Sequence, residues 1–237
     1  MKALTISLVV LLLEIAAYAQ TDTGVKINLG TADKFALLGG SGITNISSRT
    51  FITGDVGSSP TPKVKGLKPG QVKGHLYLKS SPVTAQAQKD LTTAYNQAAG
   101  AQCGTVLTGV DLGGMKLIPG VYCFASGAQL TGILTLDPQG HSNSQWIFQM
   151  GTTLTTAKNS KVILNLGGKA GRGCNVYWQV GSSATIGKGS AFVGKILAHA
   201  SVTLNGGALR GKALASNGAI TMSTQETVNG PACGTTD

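Results

Sequence analysis

The sequence predicts an all-β-dominated chain, a three-sided β-solenoid with one long α-helix packed alongside, and three observations carry that expectation. Glycine is abundant and charge is scarce: 34 glycines, 42% hydrophobic, 5% aromatic and 12% charged residues in a chain of 237. Such a chain is too apolar and too weakly charged for solvated disorder, and its glycines keep no three-residue period of the collagen kind. A turn-rich, β-branched vocabulary of this length fits a single all-β domain. The second observation is a repeated Thr column in the C-terminal half. The third is one isolated segment with helical periodicity.

The N-terminus stands apart from the fold. Met1-Lys2-Ala3 is basic, Leu4 to Leu13 is apolar apart from Thr5 and Ser7, and Ala17-Tyr18-Ala19 is a small-x-small cleavage site. Residues 1–19 therefore read as a secretory signal peptide cleaved after Ala19, leaving 20–237 as one domain in a secreted, extracellular protein. The apolar run is shorter than the roughly 20 residues of a membrane span and Glu14 interrupts it. Losing Lys2 and Glu14 together leaves the net charge of +10 unchanged.

All four cysteines, Cys103, Cys123, Cys174 and Cys233, lie in the mature part. An even number in an exported chain suggests two disulfides, for which three connectivities exist. Cys103 with Cys123 and Cys174 with Cys233 is the favoured set, because the first pair brackets a short Gly-rich excursion and the second ties down the C-terminus. A zinc site would want a CxxC pair or clustered histidines, and neither is present.

The repeat sets the architecture. Leu130-Thr131, Leu154-Thr155, Ala184-Thr185, Val202-Thr203 and Ile220-Thr221 align with Thr spacings of 24, 30, 18 and 18, an 18-residue period with insertions of six and twelve. Phe148-Gln149-Met150-Gly151 matches Trp178-Gln179-Val180-Gly181, and Gly194-Lys195-Ile196-Leu197-Ala198 matches Gly211-Lys212-Ala213-Leu214-Ala215 with a slip of one residue. Eighteen residues over three sides is about six per side, roughly 20 Å of strand, and coils of that size stack into a solenoid. Alternation then turns Val162 and Leu164, or Val202 and Leu204, into the lumen. Glycines serve the corners.

One segment departs from the strand pattern. Ser81 is a helix N-cap, Pro82 stands at the first helical position, and Gly100 follows the end, giving a helix over 82–99 of about five turns. Its apolar stripe is Val83, Ala87, Leu91, Ala94, Tyr95 and Ala98, which packs along one solenoid face. Residues 58–80, with Pro60, Pro62, Pro69 and three glycines, form a cap or extended loop. The stretch Asn28 to Val56 holds strand-like pieces broken at Gly39-Gly40-Ser41-Gly42.

An ordered set of motifs now acquires meaning: Leu29-Gly30-Thr31-Ala32, Gly42-Ile43-Thr44-Asn45, TFITGDV from Thr50, QAQKDLTTAYNQAA from Gln86, Pro119-Gly120-Val121-Tyr122, Trp146-Ile147-Phe148-Gln149 and NVYWQVGSSAT from Asn175. This series, from about Asn28 to Val228, resembles the large microbial ice-binding (antifreeze) protein family. The resemblance implies a discontinuous right-handed β-helix with a long flanking helix. It also implies an exported protein whose partner is the ice crystal surface, where it inhibits growth or recrystallisation. The site candidates are the column Thr131, Thr155, Thr185, Thr203 and Thr221. The family's Thr-Ala/Gly-x-Thr/Asn motif, met here by Thr156-Ala157-Lys158-Asn159, adds Thr156 and Asn159, and the matching coil adds Ser190. Thr also favours strands for its own sake, so the column alone does not separate ice binding from β-structure. Lys158 and Lys188 discriminate between ice binding and a rival adhesion module on the same fold: projecting from the flattest face they favour adhesion, elsewhere ice.

No catalytic residues are assigned. The carboxylates are scattered, His75, His141 and His199 stand alone, and neither a nucleophile-elbow pattern nor a phosphate-cradling Gly-Lys-Ser/Thr is found. This speaks against a polysaccharide-active enzyme, and no metal or other cofactor is expected. Nucleic acid would want a basic groove with interleaved aromatics. The surplus lysines, including Lys63, Lys65, Lys68, Lys73 and Lys79, instead suit anionic cell-surface or matrix polymers.

Overall fold

Parallel strands stack into three faces in a computed structural model that describes residues 23–141, 143–166, 169–170 and 174–230. The expected signal peptide, the preference for cleavage after Ala19, and Cys233 lie outside the described residues. One face is a seven-stranded sheet, in the order Ala128–Leu130, Leu154–Thr156, Ala184–Ile186, Val202–Leu204, Ala219–Met222, Gly42–Asn45 and Val64–Lys65. A fifteen-stranded sheet supplies the other two faces, because Ser190–Ala198 and Gly207–Ala215 each run nine residues and turn a corner within the strand. Their first halves pair with Lys161–Leu166 and Glu226–Asn229, their second halves with Val176–Val180 and Phe35–Gly39.

The corner is possible because two glycines meet there. Gly194 pairs with Gly211, both at positive φ, and a Cβ on Gly211 would lie 1.8 Å from the Gly194 carbonyl oxygen. Only glycine can hold that backbone and that approach together. The one-residue slip of the repeat is real: Gly194 and Gly211 are 17 apart, whereas the register pairs Thr203 with Thr221, 18 apart.

The stacking order departs from the chain order. Gly42–Asn45 lies beside Ala219–Met222, and Phe51–Thr53 beside Glu226–Asn229, so N-terminal strands form the coils beyond the C-terminal ones. Residues 58–80 are more than a loop. Val64–Lys65 and Val72–Lys73 add the last strand to the two sheets, and the 3₁₀ turn Pro69–Gln71 joins them.

Alternation fills the lumen with apolar side chains, and equivalent positions of successive coils stack on one another. Phe148 pairs in register with Tyr122 on one side and Trp178 on the other, with ring centroids 5.5 and 4.0 Å away. Phe192 continues the stack at 4.8 Å from Trp178. Both indole N–H groups are satisfied, Trp146 by the Leu117 carbonyl at 3.2 Å and Trp178 by that of Val193 at 3.0 Å. Val202 and Leu204 are fully buried and Val162 nearly so, while Leu164 is only partly buried at the lumen.

The helix α1 spans Pro82–Ala99 as expected, with the Ser81 hydroxyl accepting from the Val83 N–H at 3.2 Å. Ala87, Leu91, Ala94 and Ala98 are buried against a face lined by Ile147, Tyr177, Leu197 and Leu214. Burying Leu91 completely contributes about 2 kcal/mol. The stripe differs at two places. Val83 is 40% exposed and Thr84 is buried instead, its hydroxyl donating to the Ser81 carbonyl, which frees its methyl to pack. Tyr95 is half-buried, with its hydroxyl accepting from Gln179 Nε2 at 2.8 Å. At the other end Gln149 Nε2 reaches the carbonyls of Ala98 at 2.8 Å and Ala99 at 3.2 Å, acceptors that a helix terminus leaves open, and that of Ala101 just beyond it at 2.7 Å. Beside it Cys103 and Cys123, the first expected pair, form a disulfide with Cα atoms 6.0 Å apart. Cys174 is also disulfide-bonded.

Candidate functional site

The seven-stranded face is the regular surface of the molecule. Its inward positions, Leu154, Ala184, Val202, Ile220 and Ile43 and then Ile186, Leu204 and Met222, are buried and fix each strand to the lumen. The residue between them points outward. The register places Gln129, Thr155, Thr185, Thr203, Thr221, Thr44 and Lys65 in one line across the strands. Five consecutive members are Thr. Strand spacing sets them about 4.8 Å apart, and a β-branched side chain has little χ1 freedom, so hydroxyls and methyls form a fixed array.

Four of the five column residues expected from the repeat thus stand together: Thr155, Thr185, Thr203 and Thr221. Thr131 does not. The strand pairing sets Gln129 opposite Thr155, and Thr131 lies two residues further along, exposed at a corner where its N–H donates to Asp111 Oδ1 at 2.8 Å. The Thr-to-Thr spacing of 24 misled because the true step between these coils is 26, from Gln129 to Thr155.

The residues added through the family motif also fall differently. Thr156 and Ser190 are buried, their hydroxyl oxygens 3.4 Å apart, and Thr156 Oγ1 accepts from the Gly187 N–H at 2.9 Å. They brace a corner inside the solenoid, since strand alternation turns the neighbour of an outward Thr155 inward. Asn159 is exposed at the corner itself, with φ of 61°, a left-handed conformation that Asn tolerates. Lys158 and Lys188 are exposed in the same corner turns, beyond the strand ends and outside the Thr line.

Sequence reasoning missed two groups of hydroxyls. Thr44 comes from the N-terminal strand that the stacking order brings beside Thr221. Thr153, Ser183 and Ser201 each lie two residues before a column Thr and share its ladder, the Leu154 N–H donating to the Ser183 carbonyl at 3.1 Å and the Ala184 N–H to that of Ser201 at 2.9 Å. The same period of the repeat carried that second line.

Charge is withdrawn from this face and concentrated elsewhere. Lys65 ends the Thr line, and Asp111 sits at the far rim. Desolvation alone would raise the Asp111 pKa, but hydrogen bonds from Thr131 and Gly113 outweigh it and hold the carboxyl below its usual value. Two further lysines are buried under the helix side. Lys195 and Lys212 place their ammonium groups 3.7 and 3.5 Å from Asp33 Oδ1, and Lys195 also lies 4.9 Å over the Tyr177 ring. Desolvation pushes Lys195 down to about 8 against the pull of Asp33, and lowers Lys212 for the same reason. Glu226, buried at a corner, is pushed up to about 7 by desolvation, although the Gly206 N–H donates to it at 3.0 Å. Among the described residues, no three His, Cys, Asp or Glu side chains gather where they could hold a metal ion. No helix among them is long and apolar enough to cross a membrane.

A stacked parallel solenoid with a flanking helix and a flat, hydroxyl-bearing, nearly uncharged sheet defines a class of proteins that present a patterned surface. The chain belongs to the ice-binding-like family, whose model matches residues 37–229. It is 46% identical over 225 residues to an ice-binding protein of Nostoc sp. (strain HG1), covering 92% of this chain and 81% of that one. The crystal structure of an ice-binding protein from an Antarctic biological consortium superposes with a TM-score of 0.79 at 39% identity, over 87% of this chain and 93% of that one. An ice-binding protein from the Antarctic ascomycete Antarctomyces psychrotrophicus gives 0.78 at 34% identity, over 86% and 98%.

Proposed function

We propose that this protein adsorbs to ice through the seven-stranded face and so inhibits ice growth or recrystallisation, without catalysis. The line Thr155, Thr185, Thr203, Thr221 and Thr44 is the observation that carries this reading. Methyl groups discourage ordinary hydration, while hydroxyls at fixed spacing hold ordered waters that can merge with a lattice. The rigid lumen behind the strands keeps the array in place at no cost on adsorption. Strongly hydrated lysines would oppose this, and Lys158 and Lys188 lie in the corner turns. Membership in the ice-binding-like family supports the same reading, and nothing in the similar proteins favours the adhesion alternative. Export with loss of residues 1–19 belongs to this proposal, because ice forms outside the cell.

The test is ice recrystallisation at micromolar protein, with Thr155→Tyr and Thr203→Tyr beside the wild type. Slowed coarsening that each substitution weakens about tenfold is the expected result. Crystals that grow as in buffer alone with the wild type overturn ice binding, and full activity in both variants overturns the choice of face.

A further inference from the structure

The solenoid is electrically lopsided along its axis. Residues 46–80, which form the coils at one end, contain Arg49, Lys63, Lys65, Lys68, Lys73 and Lys79 against the single acid Asp55. All six cations are exposed, whereas Asp55 is buried and paired with His75. At the opposite end, residues 103–145 hold Asp111, Asp137 and Lys116, the last two joined in an ion pair. Lysines on terminal strands blunt open sheet edges, which explains Lys65 and Lys73. It does not explain Arg49 or Lys68, nor the two large apolar side chains beside them.

Ile46 is 69% exposed and Phe51 65% exposed, and they flank the corner that carries Arg49. That corner is held rigidly. Asn45 Nδ2 donates to the carbonyls of Ser47 and Gly66, Thr50 donates to Asn45 Oδ1, and Gln71 Nε2 reaches the carbonyls of Ser47, Ser48 and Thr50. Ile46 and Phe51 are thus fixed outward on a braced corner, with Lys68 on the next coil and Lys65 and Lys73 on the strands to either side. Val106, at the other end, is equally exposed but has no such ring of cations. Apolar side chains projecting among lysines are the composition that suits a membrane–water interface, with alkyl and aromatic groups entering the headgroup boundary while ammonium and guanidinium groups meet phosphates.

We propose that this end of the solenoid docks on a lipid surface bearing anionic phosphate headgroups, through Ile46 and Phe51 and the surrounding Arg49, Lys65, Lys68 and Lys73. The Thr line begins at Lys65 and runs away from that end, so a docked molecule keeps Thr155 to Thr221 clear of the lipid. The exposed apolar pair favours lipid over the soluble anionic polymers suggested by charge alone.

Flotation of the chain with phosphatidylcholine vesicles, with and without phosphatidylglycerol, tests the proposal. All variants share the same N-terminus, so its contribution is common to them and the differences report the corner. Selective binding to the anionic vesicles is expected. Replacing Lys65, Lys68 and Lys73 by Gln should weaken it on the order of 100-fold, and Ile46→Ser with Phe51→Ser by about tenfold. All of these positions are on the surface, and an unchanged thermal melt verifies folding. Equal binding to neutral vesicles, or indifference to either set of substitutions, overturns the proposal. So does retention on an immobilised polyuronate that ignores Ile46 and Phe51 while anionic vesicles are not bound. The ice assay on the Lys variant is a separate readout, so loss of one activity does not imply loss of the other.

Discussion

Thr44 lies in register beside Thr221, although one belongs to the first strands of the chain and the other to the last. The line of hydroxyls is therefore assembled from both halves of the sequence. Thr44→Tyr is expected to impair recrystallisation inhibition as much as Thr203→Tyr, with roughly ten times more protein needed for equal effect, about 1.4 kcal/mol of adsorption. Thr131→Tyr should leave activity near wild type. The comparison is read from crystal size against protein concentration, and the reverse ranking would show that the adsorbing line is drawn wrongly.

Stability should pass through a minimum between about pH 7 and 8. Glu226, with its pKa raised to about 7, holds more protons folded than unfolded between 4.5 and 7, so its contribution is lost as pH rises through that window. Lys195, lowered from 10.5 to about 8, holds fewer protons folded than unfolded across that interval, so stability recovers as pH rises from 8 toward 10.5. Lys212, also lowered, acts in the same direction. Thermal melts over pH 4.5 to 10.5 check this. Glu226→Gln should flatten the acidic limb and Lys195→Met weaken the alkaline one; a curve without limbs in the wild type contradicts the assignment.

Trp178 is the pivot of the lumen, stacked on Phe148 and touching Phe192. Trp178→Ala should cost about 3–5 kcal/mol in chemical denaturation, because a rigid coil stack cannot collapse into the cavity. Phe51→Ala, by contrast, empties only exposed surface and should cost less than about 0.5 kcal/mol. Similar losses for the two would mean that the stack is not the core.

Peptide mapping without reduction should recover Cys103 joined to Cys123 and, as the remaining pair, Cys174 joined to Cys233. Reduction of the Cys103–Cys123 link alone should lower stability by about 2–4 kcal/mol, through the loop it closes ahead of the outer strands. Any other connectivity in the map refutes the pairing.

Much of this molecule is legible in its sequence wherever one physical cause dominates. The helix bounds follow from Ser81, Pro82 and Gly100, and four Thr positions follow from a repeat imposed by stacking. The failures have causes too. Thr131 falls outside the line because corner insertions shift a spacing without changing composition. Thr156 and Ser190 look like surface hydroxyls until alternation assigns them inward, where they bond to each other's corner. Thr44 left no periodic trace at all, since nothing local to Gly42–Asn45 says that its neighbour is Ala219–Met222.

That exchange of neighbours has a consequence for how the protein is made. A plain stack of coils can grow one rung at a time behind the ribosome, each new turn templated by the last. Here Phe35–Gly39 and Gly42–Asn45 pair on one side with Asp55–Ser58 and Val64–Lys65, made soon after them, but their partners on the other side, Gly207–Ala215 and Ala219–Met222, are synthesised much later. Each early strand must wait with one open edge, and the closure joins segments more than 170 residues apart, a slow step by the entropy of long-range pairing. These two pairs of strands work as a clasp: the stack stays unlocked until Ala219–Met222 has been made.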